Sequence, residues 1–289
     1  MGTEKDCWAE WVAKMRSAVP EEARRRGLDP YSQWRERILD NANFVQGETV
    51  LDVGCGEGLV AFGALARGAG EVVFSDVSQD LLEFCRDAAT ELGVLDRCRF
   101  VRAPANDLSA IEAGSVDVVT TRSVLIYVAD KRAAFAEFAR VLRSEGRISL
   151  FEPINRFALT ERDTWSGYDL GAIPEISRKI RAVYEAIQPP DTDPMLDFDE
   201  RDLLAFAEQA GFDPIQLTLE ADIGPSEPVD WETFVDAAGN PRIPTFSDAI
   251  NQALSVEERE RLTAHLRPLV EGGRGKHRRA VAWLHATKP

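Results

Sequence analysis

Short apolar runs separated by helix-length amphipathic stretches dominate the first half of the chain. Val50, Leu51 and Val53 form one such run, and Glu71–Asp76 carries a second in Val72, Val73 and Phe74. Arg99–Arg102, Ser115–Thr121 and Arg147–Glu152 supply three more. Runs this short and this apolar predict strands buried on both faces, as in a parallel sheet. The stretches between them have helical spacing. Leu59–Arg67 follows the first run, and Ser78–Arg86 follows the second with Ser78 as N-cap and Asp80 in the first turn. A third helix is predicted over Ala129–Leu142, with Ala134, Phe135, Phe138, Val141 and Leu142 on one face and a break at Ser144–Gly146. Strands and helices thus alternate from about Gly47 to Pro153, the pattern of an α/β core.

Beyond this core the pattern is less regular. Phe198–Phe212 reads as an acid-started helix closed by Gly211, and Pro214–Leu219 and Ala280–Ala286 read as two further strands. Three segments stand outside the alternation: 1–46, about 155–197 and about 221–278. The first is helical by pattern, with Trp8, Trp11, Val12 and Met15 on one face. The second carries Trp165, Tyr168 and Tyr184 before a proline-rich break at Gln188–Pro194, and the third carries Trp231, Phe234 and a turn at Gly239–Pro244.

The junction after the first strand carries the chemistry. It reads Val50-Leu-Asp-Val-Gly-Cys-Gly-Glu-Gly58, so a strand opens through three glycines into a helix. Such a junction brings backbone N–H groups close to a ligand. The dinucleotide fingerprint needs its last glycine three positions after the second. Here Gly58 comes two after Gly56, and Leu59 takes the dinucleotide position. Asp76 closes the second strand 24 residues after Asp52 (76 − 52), a strand–helix–strand distance. An acid there accepts hydrogen bonds from ribose hydroxyls in nucleoside-binding α/β units.

These two linked motifs resemble those of the class I S-adenosylmethionine (SAM) methyltransferases of the small-molecule type. The resemblance implies an α/β fold: a seven-stranded Rossmann-like sheet with helices on both faces, its last two strands closing it antiparallel. It implies a SAM-binding domain over 47–289, interrupted by the two insertions. With residues 1–46, the insertions are expected to form a mostly helical lid over the acceptor or, more simply, a peripheral layer with its own core. SAM is the implied cofactor. The glycines Gly54, Gly56 and Gly58, with Cys55 among them, would pack on its methionine and sugar. Asp52 would reach the ammonium, Asp76 the ribose, and Val77 the adenine face. The loop after the third strand would meet the adenine through the Ala105 N–H. Relatives place an acid where Pro104 stands, and Asn106 or Asp107 is expected to replace it. Arg122, at the end of the fourth strand, would present its backbone carbonyl to the ammonium or its side chain to a carboxylate.

Methyl transfer from a sulfonium is an in-line displacement that relies on proximity and water exclusion. A base is needed only where the acceptor must lose a proton. Glu152 is the acid that the topology places best, as a base or in a capping or salt-bridging role, and Tyr127 is expected to orient the acceptor. Tyr127, Glu152, Trp165 and Trp231 are the expected acceptor contacts. The resemblance leaves the acceptor atom open. O-methylation of a small molecule, such as a secondary metabolite, is the default beside N-, S-, C- or carboxylate methylation, or a catalytically silent SAM-binding regulator.

Composition narrows the partners. The 289 residues are 44% hydrophobic, enough for a full core, and carry a formal net charge of −15. That charge disfavours a nucleic-acid substrate. The basic run Arg274–Arg279 precedes an apolar strand and is expected to be a solvated turn. No apolar run reaches membrane-spanning length and the first residues lack a signal-peptide pattern, so no membrane association and a cytoplasmic location are expected. Cys7, Cys55, Cys85 and Cys98 form no Cys-x-x-Cys pair, and His265, His277 and His285 lack metal-binding spacing, so neither metal nor disulfide is expected. The sequence leaves the oligomeric state open.

Overall fold

A computed structural model of the chain describes residues 6–17, 30–159 and 164–289. Parts of the expected N-terminal segment and of the first insertion, with the side chain of Met15, lie outside the described residues. The elements run α1 (Cys7–Ser17), α2 (Pro30–Asn41), β1 (Thr49–Val53), α3 (Leu59–Ala66), β2 (Glu71–Asp76), α4 (Gln79–Glu91), β3 (Cys98–Arg102), β4 (Val116–Arg122), α5 (Lys131–Val141) and β5 (Leu142–Pro153). They continue with β6 (Thr164–Trp165), β7 (Tyr168–Asp169), α6 (Pro174–Ile187), α7 (Glu200–Gln209), β8 (Ile215–Pro225), α8 (Trp231–Val235), α9 (Phe246–Ala253), α10 (Val256–Glu271) and β9 (Lys276–Thr287).

Seven strands form one sheet in the order β3-β2-β1-β4-β5-β9-β8. The pairs β1–β2, β1–β4, β2–β3 and β4–β5 are parallel, and β5–β9 is antiparallel. This is the Rossmann-like methyltransferase sheet, and its order reverses between β1 and β4. Ligands of open α/β sheets bind at such a switch point, outside the carboxyl ends of the strands. The central strands β1 and β2 are buried almost throughout, which is why they read as continuous apolar runs. Ile38 and Leu39 of α2, with Ala42 just beyond its end, seal one flank of the core, and Trp34 stacks on Phe151 at 4.9 Å.

Two strands depart from the sequence pattern. The expected break at Ser144–Gly146 is absorbed into β5. Glu145 takes a left-handed φ of 63°, and the pairing with β4 shifts register between Val116 and Val118. The basic run begins β9 at Lys276 rather than forming only a turn. Asp222 on β8 accepts from His277 Nε2 at 2.8 Å and Arg279 at 3.1 Å, so partner charges hold these residues in extended structure.

The chain divides into two compact units. One holds the described residues up to Pro153 with Glu200–Leu219 and Val281–Pro289. The other holds the described residues of Ile154–Asp199 with Glu220–Ala280. The second unit has its own apolar cluster, built from Ile176 and Ile180 of α6, Trp231 of α8, Phe246 of α9 and Leu262 and Leu266 of α10. Both sequence insertions are therefore needed to complete one core.

Candidate active site

The glycine spacing is a spacing of backbone conformations. Gly54, Gly56 and Gly58 have φ of 65°, 55° and 79°, the left-handed region that side chains disfavour. The intervening Cys55 N–H is anchored to Ser75 O of the neighbouring strand at 3.0 Å. A Cβ at Gly54 would stand 2.4 Å from Val124 Cγ2, whereas one at Gly56 would meet nothing within 4 Å. The loop thus packs tightly on the β4 side and leaves open space before Gly56.

Gly58 caps α3 without a side chain to do so. Asp52 supplies the missing cap from the end of β1. Its Oδ2 accepts from the Ala61 N–H at 3.1 Å and its Oδ1 from the Thr120 hydroxyl at 2.8 Å. The carboxyl is 2% exposed. Burial lifts its pKa to about 7, against the hydrogen bonds from Thr120 and Ala61 and the positive charge of Arg122. Asp76, at the end of β2, accepts from Gly56 N–H through Oδ2 and from Ser78 N–H through Oδ1, at 2.9 Å each. Each oxygen keeps a further acceptor position. Burial raises this carboxyl's pKa too, although the backbone N–H groups favour its charge. Next to it, Ser78 Oγ caps α4 by accepting from Leu81 N–H and donates to Asp6 Oδ2 at 2.6 Å, while Asp80 accepts the Asp6 N–H at 2.6 Å. Asp6, which precedes α1, is thereby fixed beside Asp76.

The end of β4 forms the other side of the site. Ser123 takes a φ of 58°, and its N–H is held by Phe151 O at 2.8 Å. Glu152 Oε1 accepts from the Thr121 hydroxyl at 2.9 Å and from Val124 N–H at 3.0 Å. The carboxyl is wholly buried, and no donor among the described residues reaches Oε2. Burial lifts its pKa to about 7, against the N–H groups of Val124, Leu125 and Ile126 and the Thr121 hydroxyl. In this placement Glu152 lies beneath the loop and holds it. Tyr127 follows on that loop, its ring 4.8 Å from that of Trp8. Arg122 is half-buried, its guanidinium 5.6 Å from the Tyr31 ring centroid. Burial pushes its pKa down against the attraction of Asp52, Tyr31, Glu152 and Tyr127.

The expected adenine loop is braced from below. Arg140 donates to the carbonyls of Leu108 and Ile111 at 2.8 and 3.0 Å, and Glu137 accepts the Leu108 N–H at 2.7 Å. Ala105 is buried, Asn106 and Asp107 are exposed, and the exposed Val77 lies at the end of β2. Asp107 is engaged locally, accepting from Ser109, which holds its pKa low. Trp165 and Trp231 belong to the second unit. Trp165 stacks on Phe246 at 5.1 Å, and Trp231 is 6% exposed within that unit's core. Trp231 thus packs within that unit's own apolar cluster.

Sequence reasoning missed Thr120, Thr121, Asp6 and Tyr31, and gave Ser78 as the N-cap that it is. The signal for the first two was a pair of hydroxyls ending an otherwise apolar strand, beside two strand-end acids. The histidines are engaged away from these acids. His265 meets Asp169 O at 2.8 Å, and His285 meets Gln216 Oε1 at 3.0 Å. Among the described residues, no group of three His, Cys, Asp or Glu could hold a metal ion. No helix among them is long and apolar enough to cross a membrane.

A left-handed glycine loop at the sheet's switch point, with a fixed acid on each of two adjacent strands, fits SAM, and with the fold it defines a class I SAM-dependent methyltransferase. Residues 51–150 match the methyltransferase domain family. Over 184 residues it is 25% identical to the ubiquinone/menaquinone biosynthesis C-methyltransferase UbiE of Idiomarina loihiensis, covering 63% of this chain and 73% of that protein. Over 165 residues it is 33% identical to nocamycin O-methyltransferase of Saccharothrix syringae, covering 56% of this chain and only 54% of the relative's length. The fold matches the YcgJ protein of Bacillus subtilis with a TM-score of 0.55 at 17% identity, over 88% of this chain and 97% of that one.

Proposed function

We propose that the enzyme methylates a small-molecule acceptor, with oxygen as the default acceptor atom. The observation that supports the cofactor geometry is the left-handed loop Gly54–Gly58, open at Gly56, with Asp76 bonded to the Gly56 N–H. SAM supplies a methyl group on a sulfonium, activated for displacement. In this reading Gly54–Gly58, with Cys55, lie along its methionine and sugar. Asp76 uses its remaining acceptor positions for the ribose hydroxyls. Asp52, fixed by Thr120 and Ala61, lends its charge to the ammonium side. Val77, Ala105 and Asn106 or Asp107 border the adenine.

On the acceptor side Tyr127 lies beside Trp8, and the two rings form an apolar wall that excludes water. Glu152 serves as a positioning residue: by holding Val124 it sets how closely the β4 loop approaches Gly54. The second unit is proposed to contribute to acceptor choice, with Trp165 and Trp231 maintaining its core. Relatives named as a C-methyltransferase and as an O-methyltransferase support methyl transfer and leave the acceptor atom to experiment.

The test is a melting experiment followed by a methyl-transfer screen. A ligand that binds only the native state adds RT ln(1 + [L]/Kd), about 2.7 kcal/mol at a hundredfold excess over Kd. SAM or its demethylated product should raise the melting temperature and NAD should not. A shift with NAD alone would overturn the cofactor assignment. Radiolabel from methyl-labelled SAM should then appear in an acceptor from a small-molecule library.

A further inference from the structure

The central glycine of the cofactor loop is held by two sulfurs. Cys55, within the loop, and Cys85, on α4, both direct their thiols at the Gly56 carbonyl, with Sγ–O distances of 3.8 and 3.3 Å. Each thiol is also within hydrogen-bonding reach of the other. Both are buried, in the apolar cluster that includes Phe74 and Leu82. No disulfide joins them, and both are free thiols. The other two cysteines are placed differently: Cys7 is exposed on α1, and Cys98 donates to Val94 O at 3.2 Å. A single buried cysteine is ordinarily an inert apolar filler. Two thiols that meet over one carbonyl differ, because joining them would consume both donors at once.

The position of the pair ties it to the loop's shape. Gly56 is anchored at both ends, its carbonyl by the two thiols and its N–H by Asp76 Oδ2 at 2.9 Å. The Cys55 N–H is fixed on β2 through Ser75 O at 3.0 Å. A bond from Cys55 to α4 would therefore pull on a residue whose backbone is already held, and the adjustment falls on Gly54 and Gly56, which flank it. Gly56 would also lose its thiol donors. A Cβ on Gly56 would meet nothing within 4 Å, so the loop borders open space through which a small neutral oxidant reaches the pair. The Cys85 thiol and burial hold the Cys55 thiol protonated, so that reaction is slow and needs sustained oxidant.

We propose that Cys55 and Cys85 form a dithiol that peroxide oxidises to a disulfide, and that the disulfide disables the cofactor loop. The oxidation needs only the two thiols, whereas its effect on SAM rests on the methyltransferase reading. One thiol sulfur attacks an oxygen of hydrogen peroxide, the O–O bond breaks, and a sulfenic acid and one water form. The sulfur of the other thiol then displaces the sulfenic oxygen, which leaves as a second water while the S–S bond forms. The two sulfurs give up two electrons, peroxide takes them, and both thiol protons end in water. A dithiol reductant reverses the change by exchange.

The full wild-type chain is treated with hydrogen peroxide, its remaining thiols are alkylated, and the proteolysed product is mapped by mass spectrometry. A link between Cys55 and Cys85, two hydrogens lighter than the reduced pair and cleaved by dithiothreitol, is expected. Calorimetry should show SAM affinity lowered ~10-fold or more by oxidation, the scale of a buried acceptor losing its donors, and restored by dithiothreitol. Cys85→Ser keeps a hydrogen-bond donor on α4 but cannot form the bond. It should bind SAM and lose the dithiothreitol-reversible response to peroxide. Absence of the link in the wild type, or a link from Cys85 to Cys98 in its place, overturns the dithiol. A Cys55–Cys85 link with unchanged SAM affinity overturns the switch, as does a reversible loss of affinity that persists in Cys85→Ser. The mapping and the reversal by dithiothreitol need no variant to fold. Reduced wild type that binds no SAM would instead overturn the cofactor reading, and the mapping would still decide whether the pair is oxidised.

Discussion

Glu152→Gln tests whether the buried acid under the β4 loop is held neutral. Glutamine keeps the size of the side chain and the oxygen that accepts from Thr121 and Val124, but it never ionises. In the wild type, burial lifts the carboxyl from 4.5 to about 7. Oε1 is served by Thr121 and Val124, whereas Oε2 has no donor among the described residues. Holding the proton to about pH 7 rather than 4.5 corresponds to about 3 kcal/mol, at about 1.4 kcal/mol for each factor of ten in proton affinity. The folded protein holds this proton to higher pH than the unfolded chain does. Between the two pKa values the folded state therefore binds more protons, and stability falls as pH rises. The contribution is complete below about pH 4.5 and is lost by the time pH passes about 7. Wild type and variant should be compared by urea unfolding, followed by circular dichroism, at about pH 4.5 and about pH 8. Taking the difference at each pH cancels titrating groups common to both proteins. The variant should gain about 3 kcal/mol relative to wild type across that range. Parallel stability curves would refute the argument, because they would mean that the carboxyl titrates alike in both states.

Three further substitutions probe the cofactor loop. Asp76→Asn should weaken SAM binding at least ~10-fold in calorimetry, because a charged acceptor hydrogen bond contributes about 1.5–3 kcal/mol; unchanged affinity would remove this acid from the ribose. Gly56→Ala places a residue with a φ of 55° but meets no neighbouring atom, so it should cost about 1–2 kcal/mol of stability and weaken SAM binding by intruding on the open space. Gly54→Ala adds to the same strain a contact of 2.4 Å with Val124 and should unfold at lower urea than Gly56→Ala, and the reverse order would contradict the packing described.

The sequence by itself determined the core and its cofactor class. Strands buried on both faces leave an unambiguous apolar signature, as Val50–Val53 and Val72–Phe74 do. A loop that needs left-handed backbone at alternate positions must be written with glycines, and Gly54, Gly56 and Gly58 are therefore readable without coordinates. Asp52 and Asp76 are legible because a strand-end position follows from counting. What the sequence left open depends on partners distant along the chain. The basic run before Ala280 became strand because Asp222 lies opposite it, and the break after α5 became a bulge because β4 pairs across it. Glu152 and Trp231 read equally well as open or buried. Burial is set by what packs on a side chain, here the Thr121–Ile126 loop over Glu152 and the second unit's own cluster around Trp231.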